Sequence, residues 1–392
     1  MHWWVFILPV LLPLYVIRVH LGPLPSTLLE LVLLLFFVSW FWVRRMEGVR
    51  CASQRLRVWR WPLSAWVLIT LAAVFWSPSV WTGLGLWRAY VLEPLLMFCV
   101  LFDLIQDEKD IRVLQTGLWA LSMWVAAWAL IQFVTGLGIP HPWNAAIAFG
   151  RRATGPFPFP NAVALLLAPI GAYAFSVWKR DRDLVPLMAC VSAVAGIACA
   201  KSVGGTLGLV DGIWIVLVSD RRWRIPVFVT TGLVGLVAWI VPSIHRVLAK
   251  QFLFQNWSGQ VRLMIWRETW VMLRDHWFTG AGFGGYPVVF KAYHHIKAIE
   301  IFQFPHNILL NTWSETGIVG VFVFVWIVWT WIVQAKHAEK DWLARLAPLA
   351  AILVHGLVDV PYFKNDLAIV FWMLIFLTCT PLDKKREGER AE

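Results

Sequence analysis

Charge is scarce in this chain, and acidic charge scarcest: Asp and Glu number 23 against 34 Lys and Arg, together 15% of 392 residues. A soluble domain ordinarily carries about 25% charged residues, so an ordinary soluble surface is excluded. Cysteine is equally sparse. The five thiols, Cys51, Cys99, Cys190, Cys199 and Cys379, have no CxxC spacing, which leaves neither a disulfide framework nor a thiolate metal site. The His and acidic residues also lack metal-ligand spacing, so no metal and no cofactor is expected. A cleavable signal is missing as well, because the first apolar run, Trp3–Val16, leads into a second without a small-residue cleavage site. No internal repeat or linker divides the chain, and residues 1–392 read as a single polytopic membrane domain.

What fills the sequence is apolar: 59% hydrophobic residues, including 28 Trp. Runs of about 17–22 such residues recur from end to end, each able to cross about 30 Å of hydrocarbon as a helix. The predicted fold class is an all-α integral membrane protein of about twelve transmembrane helices, with Trp marking span ends at headgroup level. The net charge of +11 does not point to nucleic acid, since the basic residues fall in short loops, as the positive-inside rule demands. Placing Arg44–Arg60 and the other basic loops in the cytoplasm puts both ends inside, the second at Lys384-Lys385-Arg386. Residues 244–306 then form one long extracytoplasmic loop containing short helices, too aromatic for disorder. Within it Ser258 is expected to cap a helix from about Gly259 to His276, on which Arg262 and Trp266 share a face.

This topology leaves cations outside, among them Arg88, Arg151, Arg152, Lys201, Arg262, Arg267, Arg274 and Lys297. Guanidinium groups suit bidentate phosphate contacts; the plainer reading is that each snorkels to ordinary anionic headgroups. His306 lies where the long loop meets an apolar helix. It is a candidate general base, because imidazole exchanges a proton near neutral pH, or else a hydrogen-bonded structural residue. His355 and Asp359 stand i,i+4 near the outer end of the eleventh span and are expected to pair. Glu315 follows His306 too far along to pair without a fold-back. Gly280–Gly285 fits GxGxxG literally, but no strand precedes it, and it reads as a flexible turn.

His306-Asn307 followed by Gly317-Ile-Val-Gly320 resembles the His-Asn/Ser…Gly-x-x-Gly signature of the O-antigen ligases and O-antigen polymerases of bacterial envelopes. Arg262-Leu-Met-Ile-Trp266 is similar to that superfamily's Arg-x-x-x-Leu motif, with Trp in place of Leu. Arg152-Ala-Thr-Gly155, Pro160-Asn161 and Ser202-Val-Gly204-Gly205 add to the likeness, although Val203 stands where many relatives have Arg. The resemblance runs from about residue 88 to 366. It implies a C-type glycosyltransferase of the bacterial inner (plasma) membrane, with its active site on the extracytoplasmic side. Such an enzyme moves a glycan from undecaprenyl pyrophosphate to an acceptor hydroxyl, on lipid A-core or another envelope glycan, with inversion and without metal. The implied partners are that donor, that acceptor and membrane lipids. His306 would be catalytic; Arg262, Arg152, Arg88 and Arg274 would bind donor pyrophosphate; His355, Asp359 and Asn307 would be acceptor-binding or structural. Gly317 and Gly320 would be close-packing points between helices. The alternatives are a polymerase of the same superfamily and, from another class, a transporter or flippase of an anionic lipid or solute, for which no inverted repeat is seen.

Overall fold

The computed structural model describes residues 1–380 except 22–23, 148–149, 297–298 and 339–340. Lys297 and the Lys384-Lys385-Arg386 tail lie outside the described residues.

Helix α1 (His2–Leu11) passes through a tight 3₁₀ turn into an antiparallel hairpin, β1 (Arg18–Leu21) with β2 (Leu24–Thr27), in which Arg18 is opposite Thr27. Thr27 starts α2 (Leu28–Arg55) by a reciprocal capping box with Glu30. Then come α3 (Arg60–Phe75), α4 (Val80–Trp87), a π turn at Arg88–Leu92, α5 (Glu93–Leu104) and α6 (Glu108–Thr135). After the loop 136–159 follow α7 (Pro160–Asp181), α8 (Leu184–Ala200), α9 (Val203–Ser219) and α10 (Arg221–Ile240). The long segment holds α11 (Pro242–Phe252), α12 (Trp257–Asp275) and α13 (Tyr286–Phe290). The chain ends with α14 (Ile308–Ala338), α15 (Trp342–Arg345), α16 (Ala347–Gly356) and α17 (Asn365–Cys379).

The predominance of helix follows from the apolar runs, since only a helix satisfies every backbone N–H and C=O within its own segment. Among the described residues, five helical stretches are long and apolar enough to cross a membrane: Val80–Leu104, Glu108–Thr135, Pro160–Asp181, Arg221–Ile240 and Ile308–Ala338. Shorter apolar helices stand among them, from His2–Val16 to Asn365–Cys379. Helix α2 belongs to neither group, its apolar run being closed by Glu30 and Arg44.

The core centres on α7 and α17, which are buried along most of their lengths, whereas α10 buries no residue. Glycines let α16 close on α9. A Cβ at Gly208 would lie 2.7 Å from the Ala351 carbonyl oxygen and one at Gly212 2.8 Å from that of Ala347. Helix α14 is broken at Gly317, whose φ of 69° favours glycine. A Cβ there would run into the Phe278 carbonyl, and Ile318 N–H donates to the Trp277 carbonyl at 3.2 Å. Gly317 is thus a close-packing point. Gly320 is not, because a Cβ there would meet Thr316 of its own helix.

Two local expectations are corrected. Asn256, not Ser258, caps α12: its Oδ1 accepts from Gly259 N at 2.6 Å, while the Ser258 hydroxyl accepts from Arg262 Nη1 at 2.6 Å. Gly280–Gly285 is pinned rather than loose. Ala281 N–H donates to the Ser314 carbonyl at 2.7 Å, Phe283 N–H to that of Ala73 at 2.9 Å, and Gly284 N–H to the buried Glu315 carboxylate at 2.5 Å.

Candidate active site

The site is assembled from four stretches far apart in sequence, and each is held by hydrogen bonds of its own. The loop before α7 is gripped by buried Gln132 of α6, whose amide oxygen accepts from Thr154 N at 2.9 Å and Gly155 N at 2.7 Å. That grip fixes neighbouring Arg152. Its Nε donates to the Ala200 carbonyl at 3.1 Å, its Nη2 to Asn161 Oδ1 at 3.0 Å, and its guanidinium lies 5.1 Å from the Trp143 ring centroid. The adjacent Arg151 does something else: it donates to the Phe133 and Val134 carbonyls at the end of α6.

Helix α12 supplies Arg262 and Trp266 from one face, as their i,i+4 spacing predicts. Arg262 Nε donates to the Val358 carbonyl at 2.8 Å, and Trp266 Nε1 donates to the Pro305 carbonyl at 2.8 Å. The second contact anchors the residue before His306. Asn307 then caps α14, its Oδ1 accepting from Leu309 N and Leu310 N, both at 3.0 Å, while its Nδ2 donates to the Leu357 carbonyl at 3.0 Å. Asn307 is accordingly a clamp between α14 and the turn after α16. His306 is held at φ 51°, in the left-handed region that a non-glycine residue occupies at a cost of about 1–2 kcal/mol. Strain of this kind concentrates at functional positions.

His306 Nδ1 lies 3.1 Å from Asp359 Oδ1. The carboxylate also accepts from Val360 N at 2.9 Å and, through Oδ2, from Asn161 Nδ2 at 2.8 Å. A carboxylate surrounded by donors is an acceptor, so in the neutral ring of His306 the proton belongs on Nδ1 and the lone pair on Nε2. The imidazole is about a quarter exposed (27%) and Asp359 is buried. The expected His355–Asp359 pair is replaced by this one. Helix α16 ends at Gly356, so Asp359 is no longer on a helical face with His355. His355 is buried instead over Gly204 and Gly205, and its Nδ1 has no hydrogen-bond partner among the described residues.

Arg152 and Arg262 are close enough to repel, and neither forms an ion pair with a carboxylate among the described residues. Burial, then the Arg262 charge, lowers the Arg152 guanidinium below its usual value; burial lowers Arg262 too, with Asp359 partly offsetting it. Two half-buried guanidiniums held by neutral acceptors make a site that attracts a dianion.

Arg88 and Arg274 are not drawn into this group. Arg88 forms ion pairs with Glu30 and with Glu93, the latter at 3.3 Å, and Asn365 Nδ2 donates to Glu30 at 3.0 Å. Arg274 is exposed near the end of α12. Asn161 joins Arg152 to Asp359; the sequence marks it only as part of the Pro160-Asn161 likeness and gives it no role.

Residues 188–325 match the family model for O-antigen ligase. That range contains Arg262 and His306, while Arg152, Asn161 and Asp359 lie outside it. No curated protein matches the chain.

Proposed function

With residues 188–325 supporting its place in the O-antigen ligase superfamily, we propose that this protein transfers a glycan from an undecaprenyl-pyrophosphate-linked donor to an acceptor hydroxyl of lipid A-core or another envelope glycan. The reaction takes place at the extracytoplasmic end of a multi-pass bundle of about twelve spans, and it inverts the anomeric carbon without metal. The observation that carries this reading is the convergence of the His306–Asp359 pair with Arg152 and Arg262.

His306 Nε2 takes the acceptor's hydroxyl proton as the oxygen attacks the anomeric carbon from the face opposite the leaving group. The bond from that carbon to the phosphate oxygen breaks, and the pyrophosphate leaves with the electron pair. Arg152 and Arg262 stabilise the charge that develops on it, a contribution of about 3–4 kcal/mol for one well-placed donor. Asp359 holds the imidazole in the productive tautomer and offsets the charge it gains. Asn307 sets the turn that presents the ring.

Transfer from lipid-linked glycan by purified protein in detergent tests this reading. His306→Ala should lower the rate by about 100- to 10,000-fold; turnover near wild type would sink the role. Product length distinguishes a ligase, which moves preassembled chains intact, from a polymerase, which builds a ladder from single repeat units.

A further inference from the structure

Helix α7 carries Asn161 in its first turn and Lys179 and Arg182 at its other end, about 30 Å away at 1.5 Å per residue. At that far end stands α10, which buries no residue. It is tied to α9 by Trp214, whose Nε1 donates to Thr231 Oγ1 at 3.1 Å and whose ring meets Phe228 edge-on at 5.4 Å. Between the start of α10 and the ends of α7 and α9 lies a cavity of about 540 Å³, well within the range of about 300–1,000 Å³ common to small-ligand sites. Its walls are almost entirely apolar, with Phe175 and Trp178 from α7, Ile213 and Leu217 from α9, and Pro226 and Val227 from α10.

Lys179 and Arg182 also line the cavity. Lys179 Nζ donates to the Val216 carbonyl at 2.9 Å and lies 3.4 Å from Asp220, leaving one of its three N–H donors. Arg182 is the left-handed cap of α7, with φ 61°; it lies 5.2 Å from the Trp178 ring centroid and forms no ion pair among the described residues. A hydrophilic ligand would find no partners along the apolar walls, and a peptide would leave its backbone groups unsatisfied there. An amphiphile meets both requirements, with acyl chains in the slot and an acidic phosphate against the two cations.

We propose that this cavity binds an anionic phospholipid of the leaflet opposite the His306 site. The lipid braces α10 against α7 and α9, and so steadies the segment that leads through α11 to the Arg262-bearing α12.

Native mass spectrometry of the full-length protein, exchanged in detergent with phosphatidylglycerol or phosphatidylcholine of identical chains, tests this. Phosphatidylglycerol should be retained preferentially, with selectivity falling about fivefold in Arg182→Asn, the loss expected for one interfacial cation. Asn tolerates the left-handed backbone of that position. Ile213→Trp, which fills the slot, should lose both lipids; if it does not fold, Arg182→Asn decides alone. Equal retention of the two lipids by the wild type, or unchanged selectivity in Arg182→Asn, would overturn the proposal. Displacement of the lipid by free glycerol phosphate would also overturn it, by making the site one for a soluble anion.

Discussion

Asp359 and Arg152 are the side chains at which chemistry can be separated from scaffolding, because each has a structural neighbour to serve as its control. Asp359 accepts hydrogen bonds from His306, Asn161 and the Val360 amide. Asn at this position keeps the shape but can offer its NH₂ to Nδ1, which favours the wrong tautomer of His306. Asp359→Asn is therefore expected to lower kcat by up to about 10,000-fold, the effect of an Asp→Asn change that leaves a catalytic imidazole in the wrong tautomer, with KM for the donor little changed. A fall in kcat/KM that came only from KM would point to binding instead. The paired arginines give a second contrast. Arg152→Ala should lower donor transfer about 100- to 1,000-fold and leave thermal stability near wild type. Arg151→Ala, which uncaps α6, should do the reverse, and equal loss of activity in the two variants would remove the special role of Arg152.

At the scale of elements, the segment leading to His306 is held against α12 by hydrogen bonds and, among the described residues, by the His294–Glu268 ion pair. His294 Nδ1 lies 2.8 Å from Glu268 Oε2, and its Nε2 lies 2.8 Å from the Ile299 carbonyl. Both partners are acceptors, so only the doubly protonated ring satisfies them together. Burial alone would lower the His294 pKa, but the hydrogen bonds to Glu268 and Ile299 outweigh it and the value is raised. A raised folded-state value contributes stability that is fully present below the ordinary His pKa of about 6.5 and is lost as pH rises through the folded value. The thermal unfolding midpoint in detergent should accordingly fall as pH is raised above about 6.5, and His294→Gln should flatten that slope; an unchanged slope would exclude the latch.

These elements also show what the sequence makes legible. The Arg262–Trp266 face is readable because i,i+4 neighbours share a face wherever a helix persists, and α12 persists through both. The same rule misassigns His355 to Asp359, since the helix stops at Gly356 and the aspartate turns toward His306, 53 positions earlier in the chain. Arg88 is engaged by carboxylates for a related reason. The π turn at Arg88–Leu92 brings residues i and i+5 together, so Glu93 faces Arg88, and Glu30 arrives from a helix 58 residues away. Hydropathy marks helices well, but it carries no record of the long-range partners that decide whether a cation is free to bind substrate.

For the whole molecule, the decisive quantity is the parity of membrane crossings between the basic end of α2 and the amphipathic α11. The described helices include five with the length and composition of spans, too few by themselves to fix which end of the bundle faces out. The positive-inside rule supplies the missing constraint. On that rule Arg44–Arg60 is expected in the cytoplasm, and an odd number of crossings would then put α11 and α12, with Arg262, outside. Ser53 and Lys250 are both exposed and report on the two faces. In a background lacking the five native cysteines, a membrane-impermeant maleimide applied to spheroplasts should label Lys250→Cys at once and Ser53→Cys only after lysis. Labelling of Ser53→Cys alone would invert the chain and put the Arg152–His306 site in the cytoplasm. There it would face nucleotide-linked sugars rather than a lipid-linked glycan already carried across the membrane, so the orientation measurement bears directly on which donor the two arginines can meet.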